Sequence, residues 1–288
     1  MIGDTSLLPP VYTATPDEVF INLLLYGSPG VGKTTFACQA QDHENMQDVL
    51  LCNIEGGTIS IAHRGDITTV DIEDPQQLEA VFWELKKGED GTFGSIQTVI
   101  IDSGTELQNI GLERIVQEEY EKALAKAGGV IDVSKRANID DVWLEDYKRS
   151  GSQISRVFRY FRDLRCHCIV TALSREVYPP QSGGNRQAAS MTPNQQPIEV
   201  RPGFTKSLAS TITGFVDFVW YMFEDQDEGT EERQRYLLTH SNDIYYAKTR
   251  GPAFREAMGT YVLLKDLSDP KSEGFTLPDL YDLLRESK

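Results

Sequence analysis

The sequence predicts an α/β fold built on a mostly parallel central sheet. Apolar segments rich in β-branched residues alternate with helical segments over 19–174, as repeated strand-helix-strand units require. A glycine-rich run, GSPGVGKTT, directly follows the first of these apolar segments. A buried strand that enters such a loop is typical of nucleotide-binding α/β proteins.

The elements of the first half can be assigned in order. VFINLLLY at 19–26 is the first strand, and a helix is expected from about Lys33 to Gln41. Strands are predicted over 48–54 and 66–72. A helix should then begin at Asp74-Pro75, because an Asp cap followed by proline favours a helix N-terminus.

The second half begins with the strand IQTVIID at 96–102, followed by a long polar helical region and a helix that ends near Arg165. CIVTAL at 168–173 is the next strand. The stretch from about 177 to 204 is rich in Pro, Gly, Gln and Asn, which predicts a long loop. FVDFVWYMF, RQRYLLTH and DIYYAKT are predicted as short C-terminal strands, and FTLPDLYDLLRE as a terminal helix. We expect an N-terminal arm over 1–18 and a single domain over 19–288.

Composition narrows the functional classes. The chain has 288 residues, 40% of them hydrophobic, and a formal net charge of −16, which argues against a uniformly basic nucleic-acid coat protein. No apolar segment is long enough to cross a bilayer, and four cysteines are too few for a disulfide framework. We therefore expect a cytoplasmic protein without a membrane partner. Between Lys135 and Lys206, however, twelve basic residues outnumber seven acidic ones, which predicts a locally basic surface.

The glycine-rich run satisfies the phosphate-loop pattern GxxxxGK[ST]. In this pattern the backbone N–H groups surround the phosphates, Lys33 reaches the β- and γ-phosphates and the Thr34 hydroxyl binds Mg²⁺. The competing interpretation, a chance glycine turn, is disfavoured by the strand before the loop and the helix after it. The predicted ligands are ATP and Mg²⁺, and the predicted nucleotide-binding residues are Gly27, Ser28, Pro29, Gly30, Val31, Gly32, Lys33, Thr34 and Thr35.

Two further carboxylates are candidates for the same site. Asp102 ends the strand TVIID, which predicts a metal-binding carboxylate next to Thr34. Glu55 follows the strand DVLLCNI and precedes two glycines, so we predict that it orients the attacking water. Glu106 is the rival base, although its position four residues after Asp102 indicates a place on the following helix.

Several runs resemble the phage-encoded RecA-like ATPases, small recombinases described as single-strand annealing proteins. The resemblance is carried by GSPGVGKTT, NIEGG, TVIIDSGTEL, CIVTALSRE, RPGFTKSLASTITGFVDFVWYM and AKTRGPAF. It implies a RecA fold, catalytic roles for Lys33 and Glu55, and metal binding by Asp102. The polar residue that senses the γ-phosphate in such proteins is replaced around Leu173, with Thr171 and Ser174 as its candidate substitutes.

The resemblance also implies partners. Mobile loops at about 128–139 and 177–204 would bind single-stranded DNA, with further copies of the chain forming a ring or filament and a single-strand-binding protein as an additional partner. The implied DNA-binding residues are Lys135, Arg136, Arg186, Arg201, Phe204 and Lys206. An uninvolved linker is the alternative interpretation of the second loop.

Lys248 and Arg250 alternate at the end of a predicted strand, so both side chains should lie on one face. The resemblance implies that they reach the ATP of a neighbouring subunit as catalytic cations. The function it implies is ATP-dependent binding of single-stranded DNA in recombination or annealing. Two alternatives remain: a phosphate-loop kinase of a small acceptor, and a non-hydrolysing assembly protein switched by nucleotide.

Overall fold

A computed structural model of the chain describes residues 20–126, 140–179, 196–226, 233–269 and 271–287. The strands are β1 Asn22–Gly27, β2 Val49–Asn53, β3 Thr68–Asp71, β4 Thr98–Asp102, β5 His167–Val177, β6 Glu199–Pro202, β7 Phe218–Gln226, β8 Arg233–Leu238, β9 Lys248–Thr249 and β10 Tyr261–Leu263. The helices are α1 Lys33–Cys38, α2 Pro75–Lys86, α3 Gly104–Lys126, α4 Leu144–Arg162, α5 Lys206–Phe215, α6 Pro252–Met258 and α7 Leu277–Glu286.

The strands form one sheet in the order β10-β8-β7-β1-β5-β4-β2-β3, with β6 paired to β5 and β9 paired to β7. The strands from β7 to β3 in this order run parallel to one another, whereas β8 pairs antiparallel with β7 and β10 pairs antiparallel with β8. This arrangement confirms the predicted fold class, including the antiparallel C-terminal strands and the terminal helix.

Each face of the sheet carries its own hydrophobic core. In β1, Leu24 and Tyr26 pack in the core beneath α2, α3, α4 and α5, while Leu23 and Leu25 pack in the core beneath α1, α6 and α7. All four side chains are completely buried. Parallel strands covered on both faces read as continuous apolar runs, which explains why VFINLLLY shows no alternation of polar and apolar residues.

Local signals set several helix boundaries. The side chain of Asp74 accepts a hydrogen bond of 2.6 Å from the Gln76 N–H, and Pro75 is the first residue of α2. The predicted start of this helix is therefore confirmed. The helix after the phosphate loop is shorter than predicted, because a tighter 3₁₀ turn at Gln39–Asp42 replaces its last part.

Two antiparallel hairpins extend past the carboxyl end of β1. β5 pairs with β1 up to Leu173 and then continues for four residues that pair with β6. β7 passes Gly27 at Met222 and continues to Gln226, paired with β8. The loop that follows β1 therefore lies between the two hairpins.

Three assignments of the C-terminal half are wrong in detail. The stretch predicted as a loop up to 204 contains the strand β6, because residues 199–202 pair with the extension of β5. The helix α5 was not predicted, since Thr211, Ile212 and Thr213 favour strands locally. The run DIYYAKT forms only the two-residue strand β9. Among the described helices, none is long and apolar enough to span a membrane.

A buried histidine connects the start of β1 with the start of β5. His167 Nδ1 accepts a hydrogen bond of 3.1 Å from the Ile21 N–H, and its Nε2 lies 3.0 Å from the Asn45 carbonyl oxygen. The neutral ring satisfies both contacts, because Nε2–H donates while Nδ1 accepts. Burial lowers the pKa of His167 to about 4.

This low pKa predicts acid destabilisation. The unfolded chain, in which the pKa of histidine is near 6.5, binds more protons than the folded chain as the pH falls from about 6.5 to about 4. We expect His167 to contribute a loss of about 2 kcal/mol in unfolding free energy between about pH 7 and pH 5. Urea titrations of His167→Gln should show a flatter pH dependence, whereas the exposed control His63→Gln should keep the wild-type slope. Equal slopes in all three proteins would contradict this assignment.

Candidate functional site

The phosphate loop occupies 27–34, between the carboxyl end of β1 and the start of α1. Gly30 and Gly32 have φ angles of 76° and 103°, a left-handed backbone that glycine adopts without strain. Gly27 has a different constraint, because a Cβ there would lie 2.3 Å from the Met222 carbonyl oxygen. The pattern predicted from the sequence therefore has the backbone that it needs.

Lys33 lies within this loop and is buried. Its Nζ donates to the carbonyl oxygens of Gly27 and Ser28, at 3.2 and 2.9 Å. Burial lowers the pKa of Lys33, while the nearby carboxylates of Glu55 and Asp102 act in the opposite direction. The amine thus lies against the carbonyl oxygens of the loop, which phosphate oxygens of a bound nucleotide would replace.

Asp102 is the central carboxylate of the site, and it is buried at the carboxyl end of β4. The Thr34 hydroxyl donates to its Oδ2 at 2.7 Å, and the Thr171 hydroxyl on β5 donates to its Oδ1. A buried carboxylate is costly unless hydrogen bonds satisfy its oxygens. Thr171, one of the two candidates for sensing the γ-phosphate, is completely buried and instead orients Asp102.

The oxygens of Thr34 and Asp102 suit Mg²⁺. This hard cation prefers oxygen ligands and is usually held by one or two protein groups together with substrate phosphates and water. Within the described part of the chain, no cluster of three or more His, Cys, Asp or Glu side chains offers a complete metal cage. The hydroxyl-carboxylate pair beside the phosphate loop is therefore a suitable place for Mg²⁺ bound together with a nucleotide.

Glu55 stands next to Asp102, as its position after a strand predicts. Its backbone N–H donates to the Asp102 carbonyl oxygen at 3.3 Å, and its Oε1 accepts a hydrogen bond from the Ser103 hydroxyl. Ser103 is buried, and its hydroxyl anchors the exposed carboxylate of Glu55 to the interior. Glu106 lies on the first turn of α3, and its carboxylate accepts from the Asn109 amide at 3.0 Å.

Sequence reasoning missed the roles of Ser103 and Thr171. Both are small hydroxyl residues, Ser103 directly after β4 and Thr171 within β5, and each orients a carboxylate that belongs to another segment of the chain. The only sequence signal is a hydroxyl residue directly after the strand-end aspartate, which is common in proteins for other reasons. Their roles become visible only when the sheet places β2, β4 and β5 side by side.

Lys248 and Arg250 share one face, as the period-two spacing predicts. Lys248 Nζ donates to the carbonyl oxygens of Thr213 and Val216, both at 2.7 Å, and Arg250 forms a 2.7 Å ion pair with Asp217. β9 pairs with the first residues of β7, at the amino edge of the parallel strands. The two cations therefore cannot reach the phosphate loop of their own subunit.

The predicted DNA-binding residues differ in their exposure, and three of them are not described. Lys135, Arg136 and Arg186 lie outside the described residues. Lys206 is exposed at the start of α5, whereas Arg201 is largely buried, with its Nη1 3.5 Å from Glu199.

The prediction of Phe204 as a DNA-binding residue is wrong, because its side chain is not at the surface. It is completely buried, and its ring meets Phe158 edge-on with centroids 6.2 Å apart. The reason is that β6 and α5 pack against the sheet, which draws the residue between them into the core.

A groove of about 420 Å³ brings together cations that the sequence separated. It follows one face of α5, and its lining includes Arg201, Lys206 and Lys248. Tyr246, which is partly exposed, lines the same groove. Glu199, the ion-pair partner of Arg201, lines the same groove, which therefore contains two of the basic residues of 135–206, Arg201 and Lys206, together with Lys248.

Comparisons with known proteins identify a family and similar solved structures. The family model described as "AAA domain" matches residues 20–251. Among solved structures, a KaiC-like protein from the archaeon Pyrococcus horikoshii OT3 is similar, with 12% identity, a TM-score of 0.40 and 84% of each chain covered. The flagellar accessory protein FlaH from Methanocaldococcus jannaschii has 10% identity, a TM-score of 0.39 and the same coverage of both chains. No curated protein matches the sequence.

Proposed function

The chain belongs to the AAA domain family, and on this premise we propose that it hydrolyses ATP and uses the reaction to act on single-stranded DNA. The observation that carries the ATPase proposal is the convergence of Lys33, Asp102 and Glu55 at the carboxyl edge of the sheet. These groups come from three segments far apart in sequence, and each has the chemistry that phosphoryl transfer to water needs.

The roles follow from position. Lys33 neutralises charge on the β- and γ-phosphates, and Thr34 and Asp102 would hold Mg²⁺, which would screen the phosphate charge. Glu55, oriented by Ser103, accepts a hydrogen bond from the attacking water at its carboxylate. The water oxygen bonds to the γ-phosphorus, the bond from that phosphorus to the β-γ bridging oxygen breaks, and the water proton leaves by way of Glu55. The products are ADP and phosphate.

Glu55→Gln should retain ATP binding and lose at least a hundredfold in turnover, because the amide keeps the shape but cannot accept the proton. Phosphate release under single-turnover conditions measures the loss, and calorimetric titration with ATP measures retention of binding. The matched control is Glu106→Gln, which removes the rival carboxylate. Loss of turnover in the control, with normal turnover in Glu55→Gln, would identify Glu106 as the base.

Product analysis separates the alternatives. A kinase would transfer labelled γ-phosphate to an acceptor, and a nucleotide-switched assembly protein would bind ATP without releasing phosphate. Our proposal requires inorganic phosphate as the labelled product.

The DNA-binding proposal rests on the groove along α5. Lys206 provides an exposed cationic group on this surface, Arg201 lies beside it with a smaller exposed fraction, and Tyr246 provides an aromatic side chain. Single strands are bound by such combinations, with cations that pair with the phosphates and aromatic rings that contact the bases. Lys135, Arg136 and Arg186, which lie outside the described residues, are further proposed DNA-binding residues on the basis of sequence alone.

The combined substitution of Lys135, Arg136, Arg186 and Lys206 by serine should weaken binding of single-stranded DNA at least tenfold. Each lost phosphate contact should also reduce the slope of log affinity against log salt by about 0.7. Fluorescence anisotropy with a labelled oligonucleotide at several salt concentrations gives both quantities. The control Lys87→Ser removes an exposed lysine at the end of α2. Wild-type affinity and slope in the fourfold variant would remove this surface from the account.

A catalytic role for Lys248 and Arg250 requires a second subunit, since both cations lie far from the phosphate loop of their own chain. We propose that assembly places them beside the ATP of a neighbour. Lys33→Ala subunits mixed with Lys248→Ala/Arg250→Ala subunits should then recover turnover that neither variant shows alone. An inactive mixture of co-assembled variants would restrict the two residues to their contacts at the end of α5.

A further inference from the structure

The hairpin of β7 and β8 brings an arginine to the phosphate loop. Gly27 lies opposite Met222 of β7. Two residues further along β7, Glu224 lies opposite Arg235 of β8. A Cβ at Gly32 would lie 3.6 Å from Arg235 Nε and 3.6 Å from Met222 Cε. The guanidinium group is therefore within van der Waals reach of the residue that precedes Lys33.

The backbone of Arg235 is firmly positioned. It pairs with Glu224 of β7 on one side, and on the other its carbonyl oxygen accepts a hydrogen bond of 2.8 Å from the Leu264 N–H. The strand thus fixes where the side chain starts, and only the side-chain torsions decide where the guanidinium group ends. A charged group on a regular strand is a more precise ligand than one on a loop.

The side chain itself is free to move. It is 48% exposed, and its contact with Glu224 is a single 3.3 Å bond from Nε to Oε1. Exposed ion pairs of this kind contribute little to stability, so a stronger anion can replace the carboxylate. Arg235 also lines a cavity of about 610 Å³ between β8, β10 and residues 265–269 and 271–273, which leaves room for a change of rotamer.

We propose that Arg235 is a phosphate-binding residue of the nucleotide site, supplied by the same subunit that supplies the phosphate loop. Glu224 holds the guanidinium group in the structure, and a bound nucleotide would replace this carboxylate with its own phosphate oxygens. Arginine suits the task because its planar group stays charged and can donate two parallel hydrogen bonds to phosphate. This inference rests on the proposed function, because it assigns a further residue to the same site.

Substitution of Glu224 distinguishes two roles of Arg235, phosphate binding and a purely structural ion pair. If Arg235 and Glu224 only stabilise the hairpin, removing either side chain should weaken nucleotide binding in the same direction. If Arg235 binds phosphate, Glu224 is its competitor. Removing the carboxylate should then strengthen nucleotide binding, and only while Arg235 is present.

Calorimetric titrations with ADP and with a non-hydrolysable ATP analogue test the proposal. We expect Arg235→Ala to weaken both ligands about tenfold and Glu224→Gln to tighten them two- to fivefold. In the Arg235→Ala background, Glu224→Gln should have no effect. Arg233→Ala is the matched control, because Arg233 lies on the same strand and also approaches Glu224, at 4.0 Å, but is two residues further from the loop and 78% exposed. Its effect should be less than twofold.

Two results overturn the proposal: equal losses in Arg235→Ala and Arg233→Ala, or a weakening by Glu224→Gln. Thermal unfolding of each variant identifies a loss of affinity that comes from a damaged fold, and Arg235→Lys provides a second variant that keeps the charge and the hairpin contact.

Lys33→Ala separates this inference from the proposed function. If Lys33→Ala abolishes binding and Arg235→Ala does not weaken it, only the role of Arg235 fails. If the wild-type protein binds neither ligand, the nucleotide assignment itself fails.

Discussion

The buried carboxylate of Asp102 is the constraint on which the site depends. Its two oxygens accept hydrogen bonds from Thr34, at the start of α1, and from Thr171, on β5. A charge at this depth is stable only with such partners. The two bonds therefore connect three segments of the chain at one point. They also fix the distance between the phosphate loop and the end of β4, where the neighbouring residue Ser103 holds Glu55.

The parallel sheet brings these three segments together. β1, β2, β4 and β5 run parallel and end at the same edge, so that loops distant in sequence meet there. Parallel α/β sheets bind ligands at this edge for the same reason. The hairpins formed by β5 with β6 and by β7 with β8 extend past the edge on either side of the phosphate loop. One continues from the strand of Thr171, and the other carries Arg235.

The sequence predicted those parts of the site that depend on local pattern. The phosphate loop is a contiguous motif, and the strand-end positions of Glu55 and Asp102 follow from short apolar runs that end in a carboxylate. Period-two spacing correctly placed Lys248 and Arg250 on one face. It could not predict that β9 pairs with the first residues of β7, because pairing depends on contacts between residues distant in sequence. The contribution of Ser103 and the approach of Arg235 to Gly32 depend on such contacts in the same way.

The incorrect sequence predictions also result from contacts between residues distant in sequence. The polar composition of 177–204 indicates a loop, yet its last residues pair with β5 and bring Phe204 into the core. Burial of this kind depends on the surrounding elements rather than on neighbouring residues. The helix α5 was missed because β-branched residues such as Thr211 and Ile212 weaken a local helix signal, while packing of Leu208 and Ile212 on the sheet stabilises the helix.

The most direct test of the account is the rate of phosphate release from Mg·ATP by the purified chain, compared with that of Lys33→Ala at equal concentration. We expect steady release from the wild-type protein and background release from the variant, because the substitution removes the cation that faces the β- and γ-phosphates. Thermal unfolding measured in parallel shows whether the variant remains folded. Equal release by the two proteins would contradict the assignment of the phosphate loop as the catalytic site.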